Sequence, residues 1–104
     1  MGFRTEINTM LRLNSSDPKP DSLQSGIHFT STKVNNRIYP IGYAILFLSE
    51  DWKILGYCSI QRSQTTDRGT EIEVEILSRF TDEESNIYTS RFQEAIGKTR
   101  ELQQ

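Results

Sequence analysis

Side chains able to carry out chemistry are few and scattered in this 104-residue sequence. His28 is the single histidine and Cys58 the single cysteine. A transition-metal site would need His28 together with carboxylates brought close by the fold. Cys58 with His28 would be the minimal nucleophile and base, but Cys58 stands in an apolar segment with no neighbouring cation to stabilise a thiolate. We therefore predict an inert buried thiol, no metal and no cofactor.

Carboxylates offer a second chemistry. Glu71, Glu73 and Glu75 alternate with apolar residues, so they form a flat ladder on one face of a strand. Two carboxylates act as general acid and base only where a cleft separates their pKa values, whereas a ladder opposite arginines is a solvated face. A small enzyme using Glu50, Asp51 or Glu73 stays an alternative, which requires two ionisable groups converging in one pocket.

Aromatic and basic residues are interleaved in the middle of the chain. Tyr43 and Tyr57 are expected in the core, while Trp52 is open to two interpretations, structural packing or an exposed anchor. Tryptophan and arginine are the residue types that dominate the energetics of protein interfaces. The residues predicted to contact a partner are Arg37, Tyr39, Asp51, Trp52 and Lys53.

Composition places the chain among small globular proteins. It is 35% hydrophobic and 25% charged, which suits a single folded domain in water. Its net charge of −2 argues against strong nucleic-acid binding. A lone cysteine, the absence of an apolar leader stretch and a longest apolar run, 41–48, too short to span a bilayer together predict a cytoplasmic protein without a membrane anchor.

Hydrophobic periodicity predicts five strands. Apolar and polar residues alternate clearly in the first and the last of these strands. Both faces of the central strand are apolar, so Ile41, Tyr43, Ile45 and Phe47 are expected in the core. Gly56 should mark a bulge or bend. Loops are expected at 14–22, an exposed segment with two prolines, and at 61–69. The predicted strands are 3–13, 27–34, 37–49, 52–62 and 70–77.

The period changes near residue 81. Thr81 and Glu84 have the spacing of a helical capping box, and Gly97 is placed to end the helix. Tyr88, Phe92, Ala95 and Ile96 share one apolar stripe, and we expect docking through Phe92 and Ile96 with an acidic first turn in solvent.

These elements predict a mainly β (α+β) fold. The expected architecture is a five-stranded antiparallel sheet curled into a small barrel, which leaves no open edge, with one C-terminal helix over one end or face. An open sheet with the helix on one face is the alternative. Residues 1–80 would form the barrel-like part and 81–104 the amphipathic helix docked on it, together one domain.

Three patches of the sequence resemble a family of small bacterial proteins catalogued as a domain of unknown function. They are the opening MGFRTEINTML, the patch RIYPI at 37–41 and EDW at 50–52. The resemblance covers roughly residues 1–80 and implies a bacterial cytosolic protein with a small β-rich fold. It implies no activity and no catalytic residue.

Three functions follow from these observations. The first is a non-catalytic protein-binding module or accessory subunit of a bacterial cytosolic assembly, because no catalytic set is present. The second is a barrel that binds RNA or a modified nucleotide through Tyr39, Trp52 and Arg37. The third is the small carboxylate-dependent enzyme.

Overall fold

The computed structural model describes residues 6–34 and 37–98. Within these ranges, seven strands, one 3₁₀ turn at Pro20–Ser22 and one helix follow each other along the chain. Their bounds are β1 (Glu6–Ile7), β2 (Met10–Arg12), β3 (His28–Lys33), β4 (Arg37–Ile38), β5 (Ala44–Leu48), β6 (Ile54–Thr66), β7 (Gly69–Arg79) and α1 (Asp82–Ile96).

The principal sheet has five strands in the order β2-β5-β6-β7-β3. β5, β6, β7 and β3 pair antiparallel, but β2 runs parallel to β5. A separate two-stranded parallel sheet joins β1 to β4. A mainly β fold with a five-stranded sheet and one helix is thus confirmed, whereas the expectation of a purely antiparallel sheet is wrong. The first and third predicted strands are each divided into two short pieces, and the pieces pair with one another in parallel.

The sheet curls into a half-barrel and does not close, so the prediction of a barrel without edges is also wrong. A side chain spans the gap instead. Lys33, at the end of edge strand β3, donates from Nζ to the main-chain oxygen of Arg12 on the opposite edge strand β2, at 2.8 Å. A closed barrel would have a ladder of backbone hydrogen bonds between these two edge strands. Here the lysine side chain reaches across to β2, which has only three residues.

Extra residues in the ladders bend the sheet. Register shifts between Phe47 and Leu48, between Tyr57 and Cys58, and between Ile60 and Arg62 interrupt the pairing of the central strands. Bulges of this kind increase local twist and curvature. The predicted bend at Gly56 is confirmed at the first shift, where Gly56 opposes Phe47.

Gly56 is required there by a close approach of two backbones. A Cβ built on this residue would lie 2.1 Å from the main-chain oxygen of Ser78. We predict that Gly56→Ala lowers the free energy of unfolding by at least about 2 kcal/mol, since backbone must move to relieve the overlap. Urea denaturation of the variant measures this loss.

Gly42→Ala is the matched control. Gly42 has φ +79° but nothing within 4 Å of its built Cβ, so only the left-handed backbone is penalised. Its expected cost is about 1 kcal/mol. Equal costs for the two variants would contradict the steric explanation.

The main core fills the inner face of the curl. Ile45, Cys58 and Ile76 are aligned across β5, β6 and β7 and are buried. Of the four residues expected in the core of the central strand, Ile45 and Phe47 are buried, which confirms half of that prediction. Ile41 and Tyr43 are exposed, because regular strand structure begins only at Ala44 and the residues before it form an isolated bridge and a turn.

The loop predicted at 14–22 is a surface loop, with Ser15, Ser16, Lys19, Asp21 and Ser22 exposed, but it is tied to the protein through Asp17. Asp17 is buried, and its Oδ2 lies 3.1 Å from Lys33 Nζ and accepts the Asn14 main-chain N–H at 2.9 Å. Leu23 is fully buried. Burial lowers the pKa of Lys33, and Asp17 opposes that shift. The same lysine therefore anchors both the loop and the edge of β2.

We predict that breaking this ion pair from one side is costly. Asp17→Ala leaves the ammonium group of Lys33 buried without its carboxylate and should lower the free energy of unfolding by about 3–5 kcal/mol. The double variant Asp17→Leu/Lys33→Met, which removes both charges, should recover most of the loss. Denaturant unfolding of the single and double variants measures the coupling, and additive losses would contradict it.

The β6–β7 hairpin is longer than the sequence predicts. The segment 61–69, expected as a loop, continues β6 to Thr66 and turns through Asp67 and Arg68 into β7. Backbone pairing between two neighbouring strands overrides the polar composition of this segment. The carboxylate ladder on β7 is confirmed as a solvated face, with Glu73 3.4 Å from Arg62 of β6.

The predicted capping box at the helix start is confirmed. The Thr81 hydroxyl accepts the Glu84 N–H at 3.2 Å, and Glu84 accepts the Thr81 N–H at 3.0 Å. The acidic first turn is exposed. Of the apolar stripe, Ile96 is buried and Phe92 partly buried, while Ala95 and Tyr88 are exposed.

The helix contacts β6 through two hydroxyl groups. Ile54 begins β6 beyond the part of that strand paired with β7, so its backbone groups need other partners. The Ser85 hydroxyl donates to the Ile54 oxygen, and the Thr89 hydroxyl accepts the Ile54 N–H at 2.9 Å. The helix thus replaces a strand partner there. In the described ranges no helix has both the length and the apolar character needed to cross a bilayer.

Candidate functional site

The residues weighed for catalysis lie apart from one another. His28 is on the exposed edge strand, 3.9 Å from Glu75, whereas Cys58 is in the core. Burial raises the pKa of Cys58 to about 12, so the thiol is uncharged at neutral pH. Across residues 6–34 and 37–98, no three His, Cys, Asp or Glu side chains are grouped as metal ligands.

Two of the three carboxylates considered for catalysis line one cavity. Glu50 and Asp51 border a space of about 250 Å³ together with Asp17, while Glu73 lies on the outer ladder. Asp17 is held by Lys33, and the Ser49 hydroxyl donates to Asp51 Oδ1. The carboxylates of Asp17 and Asp51 thus serve local structure, and the cavity lies beside the loop that carries Trp52.

Of the residues predicted to contact a partner, Tyr39 is misplaced. Its side chain is 4% exposed and belongs to the main hydrophobic cluster. β4 ends at Ile38, and Tyr39 is the residue that follows it. The two tyrosines expected in the core are not buried there, since Tyr43 is 69% exposed and Tyr57 37% exposed. The alternative function, RNA binding, thereby loses one of the three residues expected to contact the nucleic acid.

Trp52, Asp51 and Lys53 belong to the tight connection between β5 and β6. The Ser49 N–H donates to the Lys53 oxygen at 2.8 Å, and the Trp52 N–H donates to the Ser49 oxygen at 3.0 Å. These bonds enclose a three-residue hairpin loop of Glu50, Asp51 and Trp52. The third position of such loops has left-handed backbone, and Trp52 occupies it with φ 70°. Glycine or asparagine is usual there, because a bulky side chain makes this conformation costly.

Arg12 supports the tryptophan. Its Nε and Nη2 both donate to the main-chain oxygen of Glu50, at 3.0 and 2.5 Å. Its guanidinium carbon lies 4.5 Å from the centroid of the Trp52 ring. A guanidinium over an indole face is a favourable cation–π contact. The stack orders both side chains, yet Trp52 keeps 39% of its surface exposed.

These side chains border a cleft of about 330 Å³ at the edge of the sheet. Arg37, the remaining residue predicted from sequence, reaches the same cleft, and its Nε donates to the Val34 oxygen at 3.0 Å. The structure therefore brings Arg37 and Trp52 together, leaves Asp51 and Lys53 in the supporting loop, and removes Tyr39. The cleft is lined by Asn8, Thr9, Met10, Arg12, Arg37, Leu48 and Trp52.

Sequence reasoning missed Arg12 and Asn8. No local feature of the sequence around Arg12 indicates that it contacts a residue 38 positions away. Asn8 Oδ1 is buried and has no hydrogen-bond partner in the described part of the chain. Asn8 lies in the opening segment MGFRTEINTML, and Arg12 is the residue that follows it.

Comparisons with known proteins concern the fold alone. The structure is similar to the crystal structure of protein ytmB from Bacillus subtilis, with a TM-score of 0.64 and 20% sequence identity. The match covers 79% of this chain and 98% of that one. No family model matches the chain, and no curated protein matches it.

The buried thiol gives a direct test of the inert assignment. A thiol with a raised pKa inside the core should not react with a disulfide reagent at pH 8 in the native protein. We predict release of one equivalent of chromophore only after addition of denaturant. Rapid reaction of native protein would contradict the burial of Cys58.

Proposed function

We propose that this chain is a non-catalytic protein-binding module, acting as a small accessory subunit of a bacterial cytoplasmic assembly. Its contact surface is the cleft bordered by Trp52, Arg12 and Arg37, called the Trp52 cleft below. The resemblance of the opening and of residues 37–41 and 50–52 to small bacterial proteins supports the cellular setting. Those same patches supply Arg37 and Trp52.

The observation that carries the proposal is the backbone conformation of Trp52. Left-handed backbone costs an ordinary residue about 1–2 kcal/mol, and glycine would build the same loop without that cost. Trp52 does not belong to the core, since the residue keeps 39% of its surface exposed. Trp52 thus raises the free energy of its loop and contributes little to the core. We attribute its presence to a contact that its side chain makes with another molecule.

The composition of the surface fits the same conclusion. Aromatic and arginine side chains are enriched at interface hot spots, where a pre-ordered anchor loses little entropy on binding. Arg12 is held by two hydrogen bonds to the Glu50 oxygen and by the tryptophan ring. The anchor is therefore ordered before a partner arrives.

Trp52→Gly separates binding from folding. Relief of the left-handed strain and loss of the contact with Arg12 act in opposite directions, so we predict that the free energy of unfolding changes by less than about 1 kcal/mol. Partner capture should be lost. The measurement uses a photo-reactive benzoylphenylalanine at Thr9, an exposed residue of the cleft, with cross-linking of the full chain in bacterial cells.

Tyr43→Ser is the matched control, because Tyr43 is the more exposed aromatic and lies outside the lining of the cleft. A discrete cross-linked protein should persist in Tyr43→Ser and disappear in Trp52→Gly. Cross-linking that survives Trp52→Gly, or a variant destabilised by more than about 2 kcal/mol with its cross-links intact, would show Trp52 to be structural and overturn the proposal.

A further inference from the structure

We infer that the Trp52 cleft binds an extended acidic peptide of the partner protein, laid along edge strand β2. This inference rests on the proposed function and names the ligand class of that site. Three observations carry it: the charge of the cleft, its place at a sheet edge and an arginine that is already ordered.

The charge of the cleft is opposite to that of the chain. Its described lining contains two arginines, Arg12 and Arg37, and no carboxylate, whereas the whole protein has a net charge of −2. Met10, Leu48 and the Trp52 ring supply the apolar part of the wall. Such a surface complements a segment that combines carboxylates with apolar side chains.

The location of the cleft favours a peptide over a small anion. β2 is the terminal strand of the five-stranded sheet and pairs only with β5 among the described strands. The main-chain oxygen of its last residue, Arg12, already accepts a hydrogen bond from Lys33 Nζ, so a peptide would add at the start of the strand. Residues 8–10, which enter β2, line the cleft. A strand at a sheet edge presents backbone groups to which an extended peptide can add, and side-chain pockets beside it supply specificity.

Arg12 is prepared for a carboxylate. Its Nε and Nη2 donate to the Glu50 oxygen, whereas Nη1 meets no acceptor within residues 6–34 and 37–98. Because the guanidinium is already positioned against Trp52, binding of a carboxylate would cost little further side-chain entropy. The peptide would lie with acidic side chains toward the arginines and apolar ones toward the tryptophan.

The test uses an acetylated and amidated hexapeptide that alternates glutamate with valine, and a matched peptide with glutamine in place of glutamate. Trp52 is the only tryptophan of the chain, so its fluorescence reports binding directly. We expect the glutamate peptide to bind at least about tenfold more tightly at low salt. The difference should shrink as salt rises, because screening weakens exposed charge pairs.

Variants assign the effect to the cleft. Arg37→Gln should weaken binding of the glutamate peptide by at least about fivefold. Arg91→Gln removes the same charge from the exposed face of α1 and should leave the affinity unchanged. Circular dichroism of both variants checks that they are folded. Equal losses of affinity in the two variants would show that net charge alone causes the effect and would overturn the inference.

Other outcomes name other ligands. Equal affinity for the two peptides, with cross-linking still dependent on Trp52, would overturn the acidic class and leave the binding module standing. Tighter, Arg37-dependent binding of pyrophosphate or single-stranded RNA would assign the cleft to a polyanion. Self-association abolished by Glu83→Lys would assign it to the acidic helix turn of a second copy. Each of these results overturns the inference.

Discussion

The buried ion pair of Lys33 and Asp17 holds the curled sheet in its observed shape. Lys33 extends from one edge strand, donates to the main chain of the other and pairs with the loop that connects them. A buried charge is retained only where hydrogen bonds and a counter-charge compensate its desolvation. Burial lowers the pKa of Lys33, and Asp17 opposes that shift. The half-barrel therefore depends on one polar contact at the gap that strand pairing does not close.

The Trp52 cleft is a consequence of the same junction. The main-chain oxygen of Arg12 accepts the hydrogen bond from Lys33 Nζ, and the guanidinium of Arg12 lies over the Trp52 ring. Residues that secure the edge of the sheet therefore also position the tryptophan, and the open edge of β2 lies beside them. Apart from the Arg12 oxygen, which accepts Lys33, the edge that a closed barrel would have removed lies beside an ordered aromatic side chain and two arginines. The proposed binding function uses the part of the sheet that fails to close.

Curvature and the helix complete the arrangement. Three interruptions of register bend the central strands, and at the first of them Gly56 leaves no room for a side chain. Where β6 extends past β7, two helix hydroxyls satisfy the backbone of Ile54. This places the helix as a substitute for a missing strand, so its sparse apolar stripe is sufficient for docking. The similarity in fold to a Bacillus subtilis protein at 20% identity shows that different side chains support the same backbone plan.

Local pattern in the sequence determined the strand content, the capping box at Thr81, the bend at Gly56, the solvated glutamate ladder and the burial of Ile45 and Phe47. Each of these depends on residues close together in the chain, or on alternation that needs no knowledge of the neighbouring strand. Tertiary structure alone decided the parallel pairing of β2 with β5, the burial of Tyr39 in place of Tyr43, the bridge from Lys33 and the contact of Arg12 with Trp52. Alternation tells which residues share a face, but the element that covers the face is chosen by contacts between residues distant in sequence. For that reason Arg37 and Trp52 could be proposed from sequence, whereas the arginine and the asparagine that complete their cleft could not.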